Sequence, residues 1–332
     1  MRKLEYLSPS SISKYREDKV EFYLTYLADI RAPRFPQTLP MSVGSSFDAF
    51  VKSFLHKALF GDNDPKFDLQ TLFEAQVEPQ NRDWAWKNGQ QAFNCYKNSG
   101  ALSDLMLDLQ GSICDPRFEI EVRGTVEGHR EGITKQFSDL VLLGKPDVYY
   151  INRENCPVIL DFKVNGWCSR SAVSPLKGYI RIRSGSNVSI VGGPHKDCIP
   201  MSHRGSYINC AYYLEDLEDS WASQLAIYGW LCGAPVGSDF ITAIDQMVCK
   251  PTKTEYPEVR VAAHRLRIKS DYQWKLLAEA QEIWETVHSD HFFRDLSLED
   301  SKNKCDSLEK QAQNLKNPAT EEDKMFNALT RG

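Results

Sequence analysis

One stretch in the middle of this 332-residue chain constrains its fold more than any other: Gly144-Lys145-Pro146-Asp147-Val148-Tyr149-Tyr150, then Asn152-Arg153-Glu154-Asn155, then Val158-Ile159-Leu160-Asp161-Phe162-Lys163. Two runs rich in β-branched and aromatic residues flank a polar turn, which is the pattern of a β-hairpin. With the turn centred on Glu154, positions equidistant from it face each other, so Asp147 lies opposite Asp161 with Cβ atoms about 5 Å apart. The strand period puts Asp161 and Lys163 on one face and Val158, Leu160 and Phe162 on the other. Two carboxylates and an ammonium therefore converge. Adjacent carboxylates raise each other's pKa unless a divalent cation lies between them and reverses the local field. Mg²⁺ suits such a site, with Mn²⁺ as an alternative, because it takes oxygen ligands, keeps several waters and binds phosphate oxygens. Lys163 could orient or deprotonate a water, or offset charge on phosphorus. A lone Asp-x-Lys is more often an ordinary surface pair, so the rest of the chain has to decide.

From Ser8 to about Leu109 the apolar spacing is helical, with Ser8-Pro9-Ser10 as a helix start and one helix predicted over Val43 to Phe60, stopped by Gly61-Asp62-Asn63-Asp64-Pro65. Near Asp115-Pro116 the period changes. Phe118, Ile120 and Val122 alternate with Glu119, Glu121 and Arg123 as in a half-buried strand, and Asp139 to Tyr150 and Val158 to Lys163 read as two more. Gly166 to Asp216 is rich in Gly, Ser and Pro, an irregular insertion with a short hairpin at Tyr179 to Arg183. A helix over Leu217 to Leu231, strands over Phe240 to Cys249 and Val259 to Ile268, and a helix over Ser270 to His288 follow; the charged tail after Ser297 is expected to be loosely held. The chain thus divides into an N-terminal helical region (1–110), a core (111–295) carrying the insertion (166–216), and a tail (296–332).

At 42% hydrophobic the chain can bury a substantial core. No apolar run approaches the roughly 18 residues of a membrane span and no secretory signal opens the chain, so a cytoplasmic protein without membrane contact is expected. Nine cysteines form no Cys-x-x-Cys pair and read as reduced thiols. A formal net charge of −5 excludes a general basic coat, so any nucleic-acid contact must come from a local patch.

Two further features accompany the hairpin. Gly44-Ser45-Ser46-Phe47-Asp48 opens the second helix, whose apolar stripe is Phe47, Phe50, Val51, Phe54, Leu55 and Ala58; Asp48 projects at the edge of that stripe, where a carboxylate needs a partner. The alternative is an acid favoured near a helix N-terminus. His56 falls on the polar side and reads as a solvated surface residue. Downstream, Gln224 and Tyr228 lie one turn apart on one helix face, suited to hydrogen-bonding and stacking with nucleic acid, or simply to helix packing.

Together these residues resemble the PD-(D/E)xK nuclease superfamily, in its RecB-like branch that includes phage-type exonucleases. The opening Leu7-Ser8-Pro9-Ser10-Ser11-Ile12-Ser13-Lys14-Tyr15, the glycine-led helix at Gly44, the Gly144-Lys145-Pro146-Asp147 strand with Asp161-Phe162-Lys163, and Gln224 with Tyr228 occur in the family's order, from Leu7 to Trp230. The resemblance implies an α/β, restriction-endonuclease-like core of αβββαβ order. It implies metal binding by Asp48, Asp147, Asp161 and the backbone carbonyl of Phe162, catalysis by Asp147, Asp161 and Lys163, and DNA contact by Gln224 and Tyr228. The activity it implies is metal-dependent hydrolysis of DNA, as an exonuclease in recombination, repair or viral genome processing, with a helicase or a single-strand-annealing protein as partner. A structure-selective endonuclease and a catalytically inactive nucleic-acid-binding protein are the alternatives. Many relatives carry histidine where this chain has Asp48. Relatives with an iron–sulfur cluster carry cysteine at the position of Asp18 and three more near the end, so no such cluster is expected here. The insertion after Lys163 departs from the family too; it is basic and aromatic, with Arg181 and Arg183 as candidate DNA contacts, though a solvated loop would look similar. His195, Cys198, His203 and Cys210 within it match no closed zinc motif.

Overall fold

The computed structural model describes residues 2–29, 34–126, 128–130, 133–135, 139–165, 213–216, 218–250, 258–289 and 298–316. Arg181, Arg183, His195, Cys198, His203 and Cys210, with the hairpin expected at Tyr179 to Arg183, lie outside the described residues. The hairpin forms in the expected register. Strands Val148–Ile151 (β6) and Pro157–Asn165 (β7) run antiparallel, with Val148 opposite Leu160 and Tyr149 opposite Ile159. One step beyond that ladder, Asp147 meets Asp161. Asn152 Oδ1 fixes the turn by accepting from the backbone N–H of Glu154 at 3.1 Å and Cys156 at 2.9 Å. Asn155 takes φ of 57°, a left-handed conformation that asparagine tolerates.

This hairpin belongs to a mixed five-stranded sheet of order β1-β6-β7-β8-β9, where β1 is Arg117–Phe118, β8 is Ile241–Lys250 and β9 is Glu258–Leu266. Only the β7–β8 pairing is parallel. Alternate residues of each strand bury on opposite faces. On one side Phe162 meets Phe47 from the helix α3 (Leu39–Phe60) with ring centroids 5.9 Å apart, and Tyr96 from α5 (Arg82–Asn98) at 6.2 Å. On the other, Ile159 and Ile244 share a core with Leu225 of α7 (Asp219–Leu231) and Leu276 of α8 (Ser270–His288). The result is an α/β arrangement with helices on both faces of a mixed sheet. Gly89 on α5 permits its close crossing of α3, since a Cβ there would overlap Ser46. Among the described residues no helix is long and apolar enough to cross a membrane.

Several expectations need correction. The strand expected over Phe118 to Arg123 is broken at Glu119, which adopts φ of 50°; Val122–Thr125 (β2) instead pairs with Val141–Gly144 (β5) in a separate two-stranded sheet. The single strand expected over Asp139 to Tyr150 likewise divides into β5 and β6 around Pro146, which has no N–H to continue a ladder. His56 is not a solvated surface residue: it stacks on Phe67 with ring centroids 3.9 Å apart, and its side chain is 13% exposed. The expectation of a loosely held tail after Ser297 fails for Leu298–Lys316, which forms a helix, with Leu308 and Ala312 buried and Lys304 paired to Asp18.

At the sheet centre, Asp245 of β8 accepts from Arg265 Nη1 at 2.7 Å and from the Tyr96 hydroxyl at 2.5 Å, with side-chain exposures of 0% and 7% for the ion pair. Removing one partner of a buried pair strands the other's charge, so Asp245→Ala should lower the free energy of unfolding by about 3–5 kcal/mol. Denaturant titration checks this; a loss under about 1 kcal/mol would mean that Arg265 finds water or another acceptor.

Candidate metal centre and active site

Four carboxylates and three ammonium groups gather where the start of β6, the end of β7 and the first half of α3 meet. Because α3 begins at Leu39 rather than at the expected Val43, Asp48 sits near the middle of the helix, away from its N-terminus, with Lys52 one turn later, an i,i+4 pair with Lys52 Nζ 2.7 Å from Asp48 Oδ2. Lys52 is 1% exposed. Its ammonium also donates to Asp147 Oδ1 at 2.7 Å and to Glu119 Oε1. Gln76 donates to Asp48 Oδ2 at 3.0 Å, and Asp147 Oδ2 accepts the backbone N–H of Phe162 at 2.9 Å, which ties that carboxylate across the hairpin. Lys145 pairs with the second oxygen of Glu119.

Asp161 and Lys163, two residues apart on one face of β7, point toward α7. Lys163 Nζ lies 2.5 Å from Asp161 Oδ2, yet that buried oxygen has no aligned hydrogen-bond donor, so the contact is ionic. Lys163 also donates to Gln224 Oε1 at 3.1 Å, while Gln224 Nε2 reaches Asp161 Oδ1 at 3.4 Å and the Tyr228 hydroxyl at 3.1 Å. Gly144 makes room for this: a Cβ there would fall 2.7 Å from Tyr228 Cδ1. Asp147, Asp161, Lys163, Gln224 and Tyr228 are therefore brought together, and Asp48 joins them through Lys52. Phe162 contributes its amide to Asp147 and its ring to the core.

Lys52 and Glu119 were missed by sequence reasoning. The helical spacing that put Asp48 beside the apolar stripe also put a lysine there, and a lysine on a buried stripe was a signal that a carboxylate partner would be needed. Glu119 had no such signal, because strand alternation aimed it outward and the break at its positive φ turned it in.

The electrostatics follow from burial. Burial is the main cause pushing Asp48 up to about 7, opposed by the Lys52 ammonium and reinforced by Asp147 and Glu119. Burial likewise raises Asp161 to about 6, against the pull of Lys163. Burial also acts to raise Asp147, but the Lys52 charge and hydrogen bond and the Phe162 amide outweigh it and hold that carboxyl below its ordinary value. Both lysines lose charge stability to burial and regain more from the acids, so each stays firmly protonated.

No family model matches the chain, and no curated protein matches it. Among solved structures, the chain is similar to one titled "Crystal structure of SSO0001", with 13% identity over 88% of this chain and 95% of that one and a TM-score of 0.26, too low to carry any argument.

Carboxylate oxygens of Asp48, Glu119 and Asp147 lie within 4.8 Å of one another, a grouping of the kind that holds a metal ion, and the Lys52 ammonium contacts all three. An all-oxygen donor set with no thiolate or imidazole suits a hard divalent cation such as Mg²⁺ or Mn²⁺. Asp161 Oδ2 fits as well, since its contact with Lys163 is not an aligned hydrogen bond and leaves acceptor capacity for a cation.

Because Asp161 is raised to about 6 from 3.8, the unfolded chain releases this proton first as pH rises, and the group's contribution to stability is present below about 4 and lost by about 6. In EDTA, the stability of the parent relative to Asp161→Asn should therefore fall as pH rises through that window. Denaturant midpoints of both proteins test it; a pH-independent difference would show that Asp161 titrates normally.

Proposed function

We propose that this chain is a metal-dependent deoxyribonuclease with a restriction-endonuclease-like core of the PD-(D/E)xK superfamily, hydrolysing phosphodiester bonds as an exonuclease. The observation that carries the reading is the connected set Asp147, Asp161, Lys163, Gln224 and Tyr228 at the open end of the hairpin. Asp147, Asp161 and the Phe162 carbonyl would hold Mg²⁺ or Mn²⁺, with Asp48 alongside. When bound, such an ion lowers the pKa of a coordinated water and offsets charge on the scissile phosphate.

The chain's own residues do the rest. Asp161 keeps Lys163 charged, so its ammonium acts as a fixed positive donor toward phosphate oxygens rather than as a proton acceptor. Gln224 bridges Lys163 and Tyr228, and this limits the freedom of both side chains before a strand arrives. Trp221, half-buried and with its ring 5.8 Å from Lys163 Nζ, offers aromatic surface beside that charge, as single-strand sites do. DNA is the substrate this arrangement suits, and a helicase or an annealing protein would supply ends or accept the product. One observation favours a second reading, a nucleic-acid-binding protein without catalysis: the Lys52 ammonium already satisfies three of the four acids.

The test compares Mg²⁺-dependent cleavage of linear, closed circular and circular single-stranded DNA. Asp161→Ala and Lys163→Ala should each lower the rate by about 100-fold or more, the scale for losing one electrostatic stabiliser, with folding retained. Only linear DNA should be degraded. Cutting of the circles would favour an endonuclease, and absence of any cleavage by the parent would favour the binding protein.

A further inference from the structure

The acid cluster contains two places where a positive charge is needed, and they are filled differently. The first lies among Asp48, Glu119 and Asp147. There the Lys52 ammonium has three N–H groups and meets three carboxylates, at 2.7 Å from Asp48 and Asp147 and in contact with Glu119, so it fills the space among them and has no donor left. The side chain is 1% exposed and its neighbours on α3, Val51 and Leu55, are fully buried, so the lysine has no open route to swing away. The second place lies beside Asp161. That side chain is 6% exposed, stands cross-strand from Asp147, and its Oδ2 meets a single ammonium, that of Lys163 at 2.5 Å, without an aligned hydrogen bond. One ammonium leaves most of that carboxylate's acceptor sites free for a cation.

We propose that Lys52 is a built-in cation, occupying one of two cation positions, so that the site takes a single divalent ion on the Asp161 side of Asp147. The inference rests on the hydrolase reading only in taking the open position to be a divalent-cation site. Geometry separates the two positions. Mg²⁺ bonds of about 2.1 Å would draw adjacent ligand oxygens to about 3 Å apart, whereas ammonium contacts permit the wider cage formed by Asp48, Glu119 and Asp147. Lys52 is thus a positioning residue: it holds Asp147 Oδ1, leaving Oδ2 to the Phe162 amide on the strand that carries Asp161. A tethered ammonium differs from a second metal in one functional respect, since it cannot carry a water to the reaction. Metal-dependent activity should then follow occupancy of one ion, with no cooperative second step.

The experiment measures Mn²⁺ stoichiometry in the full chain by isothermal titration calorimetry and by electron paramagnetic resonance of free Mn²⁺. The parent should bind one ion. Lys52→Met, which keeps the stem and removes the charge, should bind two, because Asp48 and Asp147 then lose the cation between them and Glu119 keeps only Lys145. Should that variant need metal to fold, Lys52→Met combined with Asp48→Asn and Glu119→Gln removes the excess acid and should bind one ion like the parent. Two ions in the parent, one in folded Lys52→Met, or none in the triple variant would each overturn the inference. The reading as a nuclease fails separately: one ion in the parent with no DNA cleavage would leave the tethered cation standing and remove the proposed reaction, and no ion in the parent would remove both.

Discussion

Buried acids of like sign stay together only where cations of matching geometry sit among them, and this chain places four at one end of a central hairpin. Two of the cations come from elements distant in sequence: Lys52 from α3 and Lys163 from β7. Lys52 therefore also fixes the fold locally. It ties α3 to the loop before β6 through Asp147 and to the end of β1 through Glu119, which sets how that helix lies across the sheet. The Phe47 and Phe162 rings pack beneath this polar junction, so the apolar contact and the ionic one hold the same pair of elements. Loss of either would loosen the other.

The sheet arrangement explains why the site lies where it does. β7 is antiparallel to β6 but parallel to β8, and α3 and α7 cover its opposite faces. Its residues from Val158 to Leu160 are fully buried and apolar, while Asp161 and Lys163 occur only as the strand passes the end of β6. Polarity appears where one neighbour stops. Gln224 and Tyr228 then approach from α7, helped by the absence of a side chain at Gly144. The same sheet carries a second buried charge at Asp245, fully satisfied by Arg265 and Tyr96. That group reads as structural, in contrast to Asp161, whose Oδ2 has an ionic contact with Lys163 but no aligned hydrogen bond.

Much of the hairpin was legible because period two and a polar turn are local properties: the Asp147 and Asp161 pairing followed from counting outward from Glu154. The helix Ser270–His288 was legible for the same reason, with an unbroken 3.6-residue stripe. Contacts between remote elements were not. Glu119 and Lys52 meet because the chain reverses at a residue with positive φ, and nothing in the alternation of Phe118 to Arg123 encodes that reversal. The helix Leu298–Lys316 was hidden by its polar sequence, which leaves only a sparse stripe of buried Leu308 and Ala312. His56 misled in the opposite direction, because a helical wheel has no knowledge of Phe67 folding back over its polar side.

As proposed, one end of the hairpin holds two cations among its acids, the Lys52 ammonium fixed in one position and a divalent ion in the other. Crystals grown with Mn²⁺ and measured for its anomalous scattering test this most directly. One peak should lie between Asp147 and Asp161, with the Lys52 ammonium still held by Asp48, Glu119 and Asp147. A peak in the place of the Lys52 ammonium, with that side chain displaced, or no peak beside Asp161 at millimolar Mn²⁺, would contradict it.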